Sequence, residues 1–270
     1  MSRQLVINLK PSDYKSMKPA ELIKARAQRD LSLYERRSIT ILWNNAHKQG
    51  IEKDRLYTIN MSELRGGKHN GNEFVKQAIK GLQTTLLSIY SHALDEEVVT
   101  QMLGPTVEKG VSRKDGVLSY RFPAELVDLL KDSISWGQIE IPVLMHLNSK
   151  YSISLYEYVS HRINLKYKHH EKFTLEEFRD IIAIESGKYE VFGSLNKHVI
   201  KKVVNEINAL AYFNITVVPE KTGKRVTHVN LFWSTKTTDE KKAAYQELMR
   251  HSTGRGARIS GQVEMIETEG

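Results

Sequence analysis

The chain contains no cysteine. Disulfides and thiolate metal sites are therefore excluded, and nothing in the composition implies an oxidising compartment. Long apolar runs are missing as well. Leu5-Val6-Ile7 is broken by Asn8 and followed by Lys10-Pro11; that is too short for a secretory signal, and no segment is long enough to span a bilayer. A cytoplasmic protein without membrane contact is expected. Catalytic patterns are equally scarce. Gly66-Gly67-Lys68 lacks the first glycine of a phosphate-binding loop, and His69 stands where Ser or Thr is required. His169-His170-Glu171 has adjacent histidines with polar neighbours. Lying about 100° apart on a helix, or on opposite faces of a strand, they would share a metal poorly. Neither a His-Glu-x-x-His pattern nor a nucleophile elbow occurs. No catalytic residue, metal or cofactor is assigned, and a non-enzymatic protein is expected.

What is present is positive charge and an internal echo. Lys and Arg total 40 against 32 acidic residues, a formal charge of +8. Such a balance attracts polyanions, nucleic acid first among them, although a basic surface is also compatible with no partner at all. At 270 residues the chain is comfortable for two domains, each with its own core. Leu31-Ser32-Leu33-Tyr34-Glu35 returns as Ile153-Ser154-Leu155-Tyr156-Glu157, 122 residues later. Lys76, Ile79 and Lys80 correspond to Lys197, Ile200 and Lys201 at an offset of 121. Two similarities at nearly one spacing point to a duplicated module of about 110–120 residues.

In the first half, Ser32 and Glu35 form a capping-box pattern. The helix that follows places Ile39, Leu42, Trp43 and Ala46 on one face and ends at Gly50. Tyr57-Thr58-Ile59 reads as a strand, Ser62 to Leu64 as a small helix, and residues 66–71 as a turn. A helix over residues 72–85 turns Phe74, Val75, Ala78, Ile79 and Leu82 inward and leaves Glu73, Lys76, Gln77, Lys80 and Thr84 outward. Leu87 to Tyr90 and Val117 to Phe122 have strand character and are predicted to form a β-hairpin. This is the order of a winged helix-turn-helix. A helix from Ala124 to Leu130 closes the module, and the polar stretch Asp132 to Gly137 is the expected seam.

The second half opens with a helix from about Leu147 that buries Ile153, Leu155, Tyr156, Val159 and Ile163. Thr174 and Glu177 repeat the capping box ahead of Phe178, Ile181 and Ile182. Over residues 195–210, Val199, Ile200, Val203, Val204 and Ile207 form an apolar stripe. Ser194, His198, Lys201, Lys202 and Asn205 share the far side, with no carboxylate among them. A solvated face usually mixes signs; a one-sign, donor-rich arc suits the DNA major groove, where Lys donates to guanine and Asn bridges adenine. Ile215 to Val218 and Val226 to Phe232 read as strands around a glycine-containing tip that carries Lys221, Lys224 and Arg225. That is a wing able to touch phosphate, though a charged tip is also simply soluble. A helix is expected over residues 239–250, and residues 252–258 are expected to be flexible. The expected fold is α+β, predominantly helical. It comprises two tandem winged helix-turn-helix domains related by internal duplication, residues 1–134 and 135–270.

Three segments carry a family resemblance: residues 147–157 (Leu-Asn-Ser-Lys-Tyr-Ser-Ile-Ser-Leu-Tyr-Glu), residues 195–208 (Leu-Asn-Lys-His-Val-Ile-Lys-Lys-Val-Val-Asn-Glu-Ile-Asn), and Val229-Asn230-Leu231-Phe232. The chain resembles the replication initiators of iteron-containing plasmids, loosely as far back as Leu31. The resemblance implies a second domain that reads DNA through Lys197, His198, Lys201, Lys202 and Asn205. It also implies a first domain that dimerises and makes auxiliary contacts, for which Lys76, Gln77 and Lys80 are the candidates. The partners implied are double-stranded DNA at origin iterons and the protein's own promoter, the host replication initiator and helicase, and a second copy in a monomer–dimer equilibrium. A dedicated winged-helix transcriptional repressor is the alternative from the same fold.

Overall fold

The structure is a computed structural model that describes residues 15–65, 72–91, 95–110, 116–131, 133, 135–165 and 167–261. The turn predicted over residues 66–71 lies outside them. The chain enters through β1 (Lys15–Pro19), α1 (Ala20–Lys24) and β2 (Arg26–Ala27). α2 (Leu33–Gln49) starts where the sequence places it. The Ser32 hydroxyl accepts the Glu35 N–H at 3.3 Å, and the Glu35 carboxylate accepts the Ser32 N–H at 2.7 Å. Gly50 stops the helix at φ +84, a left-handed conformation that glycine adopts without steric cost. Ile39, Leu42, Trp43 and Ala46 are buried, but so are Glu35, Arg37, Ser38 and Thr40. A helix covered around most of its circumference is central to its fold.

β3 (Tyr57–Asn60), α3 (Met61–Arg65), α4 (Glu73–Gln83), β4 (Leu86–Ser91), β5 (Glu96–Gln101), β6 (Thr106–Lys109), β7 (Val117–Tyr120) and α5 (Ala124–Lys131) complete the first core. Two expectations are corrected here. Leu87–Tyr90 and Val117–Phe122 do not pair. β4 pairs with β5 (Leu87↔Thr100), and β7 pairs with β6 and β3 (Tyr120↔Tyr57). Strands close in sequence meet at a smaller loop-closure cost, and the half-exposed, Glu-led β5 gave little apolar signal. Phe74 is not inward but 49% exposed, with its ring stacked on Tyr34 at 5.3 Å. Val75, Ala78, Ile79 and Leu82 fill the buried stripe without it.

The second half comprises β8 (Trp136–Glu140), α6 (Ile141–His146), α7 (Lys150–Arg162), β9 (His170–Thr174), α8 (Leu175–Ile181), α9 (Phe192–Leu195) and α10 (Lys201–Leu210). β10 (Phe213–Thr222), β11 (Arg225–Thr235), α11 (Thr238–Met249) and α12 (Arg255–Ile259) follow. Thr174 and Glu177 form the expected capping box. Residues 252–258, expected to be flexible, are instead folded from Ser252 into α12. Arg255 is 1% exposed; its guanidinium donates to the Leu248 and Arg250 carbonyls at 3.2 and 3.0 Å and to Glu247. Composition hid this because the arginine caps the carbonyl end of the preceding helix and pairs with a carboxylate upstream.

The two halves repeat one plan. α2-β3-α3-α4 with the β6–β7 hairpin matches α7-β9-α8-α10 with the β10–β11 hairpin. In each half the strand between the helices pairs with the second hairpin strand, β3 with β7 and β9 with β11. The first half adds the β4–β5 hairpin, which continues the sheet of β2. The pentapeptide echo is not used identically. Ser32 is the cap of α2, whereas α7 is capped by Ser149 and holds Ser154 inside its second turn.

The halves are joined by buried polar ties. β1 pairs with β8 along its length (Lys15↔Glu140 to Pro19↔Trp136). Gly137, predicted at the end of a polar seam, lies within β8. A Cβ there would meet Ile23 at 2.7 Å and the His161 backbone at 3.2 Å, so the close approach requires glycine. Lys18, 3% exposed, donates to Glu157 at 2.7 Å and to Thr40 at 3.0 Å, and Thr40 donates to the same carboxylate at 2.8 Å. Burial pushes the Lys18 ammonium below its usual range, while Glu157 pulls the other way. Arg37 of α2 donates to the Leu147 carbonyl. Lys150 pairs with Asp30 and, at 2.8 Å, with Glu185. A buried pair stripped of one partner leaves an uncompensated charge. Lys18→Ala is therefore expected to cost about 3–5 kcal/mol, while Lys18→Met with Glu157→Leu stays near wild type. Urea unfolding midpoints measure both.

Candidate nucleic-acid interface

The helix that carries most of the candidate residues is continuous from 192 to 210. α9 passes through a single π turn, Asn196–Ile200, into α10, with the Lys201 N–H reaching the Asn196 carbonyl. Leu195, Val199, Ile200, Val203, Ile207 and Leu210 seat it in the second core. Burial of each such side chain contributes roughly 1.5–3 kcal/mol. The wide turn was not read from the sequence, since a constant helical period leaves no room for an extra residue, and such turns recur at functional sites. Lys197, His198, Lys201, Lys202 and Asn205 are all exposed, whereas Ser194 is half-buried. Val204, assigned to the apolar stripe, sits at its edge and is partly exposed.

The arc carries no exposed acid. Glu206, the one carboxylate of the helix, is buried and accepts the Asn148 N–H at 2.6 Å. Burial pushes its carboxyl above the usual carboxylate range. Among the described residues no ion pair engages Lys197, Lys201 or Lys202. His198 stacks on Tyr189, their centroids 6.4 Å apart. Tyr189 itself stands at φ +51 in the turn before the helix, where Arg179 donates to its carbonyl at 2.8 Å.

Residues that sequence reasoning did not single out hold this helix in place. The Asn208 side chain donates to the Ile215 carbonyl at 3.0 Å and accepts the Ile215 N–H at 2.7 Å, fixing the turn into β10. Lys236 is buried and donates to the Asn208 and Ala211 carbonyls at the helix's carboxyl end, where a cation is favoured. Burial pulls this ammonium down to about 8. Nothing in local periodicity marks a lysine beyond β11 as a helix cap.

β10 and β11 form the predicted hairpin, with Gly223 at φ +62 in its turn and a register shift between Glu220 and Lys221. Lys221, Lys224 and Arg225 are exposed at the tip. β9 adds the third strand; its His170 stacks on Phe232 at 5.4 Å, and Glu171 is buried against Arg162 at 3.2 Å. In the first half, α4 exposes Gln77 and Lys80, and the Gln77 amide donates to Glu73 at 3.2 Å. Lys76 is half-buried and paired with Glu108 at 3.3 Å. The second echo is matched in space: Ile79 and Ile200 are both buried, and Lys80 and Lys201 both exposed.

Helix, strand, helix, helix and hairpin, twice over, with a cation-rich exposed helix in the second copy, define a tandem winged-helix protein. The profile described as Initiator Replication protein, WH1, matches residues 15–160, and that described as Initiator Rep protein, WH2, matches residues 174–233. The chain belongs to this initiator replication protein family. Among solved structures, it is similar in fold to the Pi initiator protein crystallised in complex with iteron DNA. The TM-score is 0.63 at 18% identity, covering 83% of this chain and 98% of that one. No curated protein sequence matches the chain significantly.

The seating of the helix is open to a direct check. Glu206→Ala leaves the Asn148 N–H without its acceptor in a buried site and is expected to cost about 1–3 kcal/mol, while Glu206→Gln recovers most of it. The comparison is made by thermal and urea unfolding.

Proposed function

We propose that this protein is a plasmid replication initiator that binds directly repeated double-stranded sequences, iterons, at an origin. The observation that carries the reading is the exposed arc of helix 192–210, where Lys197, His198, Lys201, Lys202 and Asn205 stand without an exposed carboxylate. Lys and Asn in the major groove supply donors to guanine O6 and N7 and a bidentate partner to adenine. The wing residues Lys221, Lys224 and Arg225 supply cations for phosphate, which fix position without reading sequence. Ser194, half-buried in the first turn of the same helix, is a further candidate contact. Family membership, and a fold shared with an initiator that was crystallised on iteron DNA, support the same reading.

Residues 135–270 form the main DNA-reading domain, and residues 1–134 contribute dimerisation and auxiliary contacts from Gln77, Lys80 and Lys76. Support for this division comes from the second core, whose buried residues all lie at Ile139 and beyond and take in the apolar face of α7, with Met145 alone of the buried residues after 135 in the first core. The protein acts in the cytoplasm and exchanges between monomer and dimer. It recruits the host initiator and helicase, represses its own promoter, and performs no chemistry on DNA.

A footprint on the DNA upstream of its own gene tests the core of this. Protected segments repeating at about one or two helical turns are expected, because paired readers impose that spacing. Protection without repeats, or none, overturns it. Origin DNA incubated with Mg²⁺ or Mn²⁺ is expected to stay uncut; a specific nick would refute the non-catalytic assignment. Deleting the gene from its replicon should abolish maintenance, whereas derepression alone would mark a dedicated repressor.

At the residue level, Lys201→Ala and Lys202→Ala are each expected to weaken specific binding by about 1–3 kcal/mol. Asn205→Ala is expected to relax preference at one base position. Lys224→Ala with Arg225→Ala should lower affinity for all sequences and make the salt dependence shallower by about one unit per lost phosphate contact. Fluorescence anisotropy across a salt series on iteron and scrambled duplexes separates these outcomes.

A further inference from the structure

His198 is the middle residue of the π turn in helix 192–210 and the one aromatic member of its exposed arc. It is held from outside the helix. Its ring stacks on that of Tyr189, with centroids 6.4 Å apart and planes 23° from parallel. That separation lies within the range of an offset stack.

Tyr189 is itself fixed. Its carbonyl accepts from Arg179 of α8 at 2.8 Å, and the Lys188 carbonyl accepts from the same guanidinium. Glu185, in the same turn, pairs with Lys188 and, at 2.8 Å, with Lys150 of α7. The Tyr189 backbone stands at φ +51, which costs a residue with a Cβ, whereas Gly187 two residues earlier adopts φ +77 freely. A tyrosine here keeps its side chain at the expense of its backbone. The ring packs partly against the second core. An apolar side chain of another shape would also pack there; only an aromatic one stacks on His198. The duplication supplies a second instance. At the offset of 121, His198 corresponds to Gln77 of α4, whose amide is also held, donating to Glu73 at 3.2 Å. Both copies restrain the side chain at this position, by different means.

A neutral imidazole carries one donor and one acceptor nitrogen, and each base pair shows the major groove a fixed pattern of donors and acceptors. A ring free to turn offers either nitrogen to the same base edge and discriminates poorly. A ring held in one plane presents one edge, and it loses less freedom on binding. We infer that Tyr189 is a positioning residue for sequence readout: acting through His198 rather than on DNA, it holds the imidazole in the orientation that selects one base pair of the repeat. This rests on the assignment of helix 192–210 as the DNA reader.

The experiment titrates, by anisotropy, the repeat located by footprinting and duplexes in which each of its base pairs is changed in turn. His198→Ala is expected to relax preference at one base pair. Tyr189→Leu keeps an apolar side chain on the second core but offers no aromatic face. It should weaken binding to the repeat about three- to tenfold, the value of one side chain that must be ordered on binding. It should relax the same base pair as His198→Ala and leave affinity for scrambled duplex unchanged. The double variant should bind no more weakly than His198→Ala, and Tyr189→Phe, which keeps the ring, should retain the wild-type preference. Unchanged preference in Tyr189→Leu overturns the inference. So do losses that multiply in the double variant, an equal loss on repeat and scrambled DNA, or relaxed preference in Tyr189→Phe. Equal binding of wild-type protein to repeat and scrambled duplexes overturns the reader assignment itself, and the inference with it.

Discussion

The arrangement of the two halves depends on a charge taken out of water. Lys18 on β1 and Glu157 on α7 are both buried and share Thr40 of α2 between them. Neither ion would tolerate that environment alone, because desolvation costs several kcal/mol per charge. The pair is satisfied only when strand, first-half helix and second-half helix occupy one relative position. An apolar joint would hold the same surfaces together but would admit sliding. Directional bonds from an ammonium to a carboxylate and a hydroxyl do not, and Arg37 on the Leu147 carbonyl and Lys150 on Asp30 add further ties across the same boundary.

The same economy governs helix 192–210. Three polar groups position it: Glu206 on the Asn148 N–H, Asn208 on Ile215, and Lys236, from beyond β11, on the terminal carbonyls. Its exposed cations make no ion pair among the described residues. A rigid seat beneath unengaged donors is the arrangement a sequence reader requires, since side chains already placed lose less freedom on binding. The π turn serves this geometry by bringing Lys197 and His198 outward together with Lys201 and Lys202.

Much of this was legible before any coordinates. Capping boxes at Ser32 and Thr174 marked helix starts, because the bonds that make them are local to four residues. The apolar steps of α4 and helix 192–210, the glycine-tipped wing and the acid-free arc followed from periodicity and charge. What escaped notice involved partners distant in sequence. Phe74 belonged to the apolar count of its helix, yet finds its ring partner in Tyr34. Arg255 reads as a loop residue, yet lies buried on Glu247. β5 and β6 were hidden because their alternation is shallow and their pairing is decided by the sheet.

By itself the sequence determined the longer helices, the duplication and the sign of the charge on one helix face, since caps, helical periods and composition act over a few residues. Tertiary structure alone decided which strands pair, where the halves lock, and that the only carboxylate of helix 192–210 is withdrawn into the core. Those outcomes require contacts between residues far apart along the chain. Their free energy exists only once burial has brought them together.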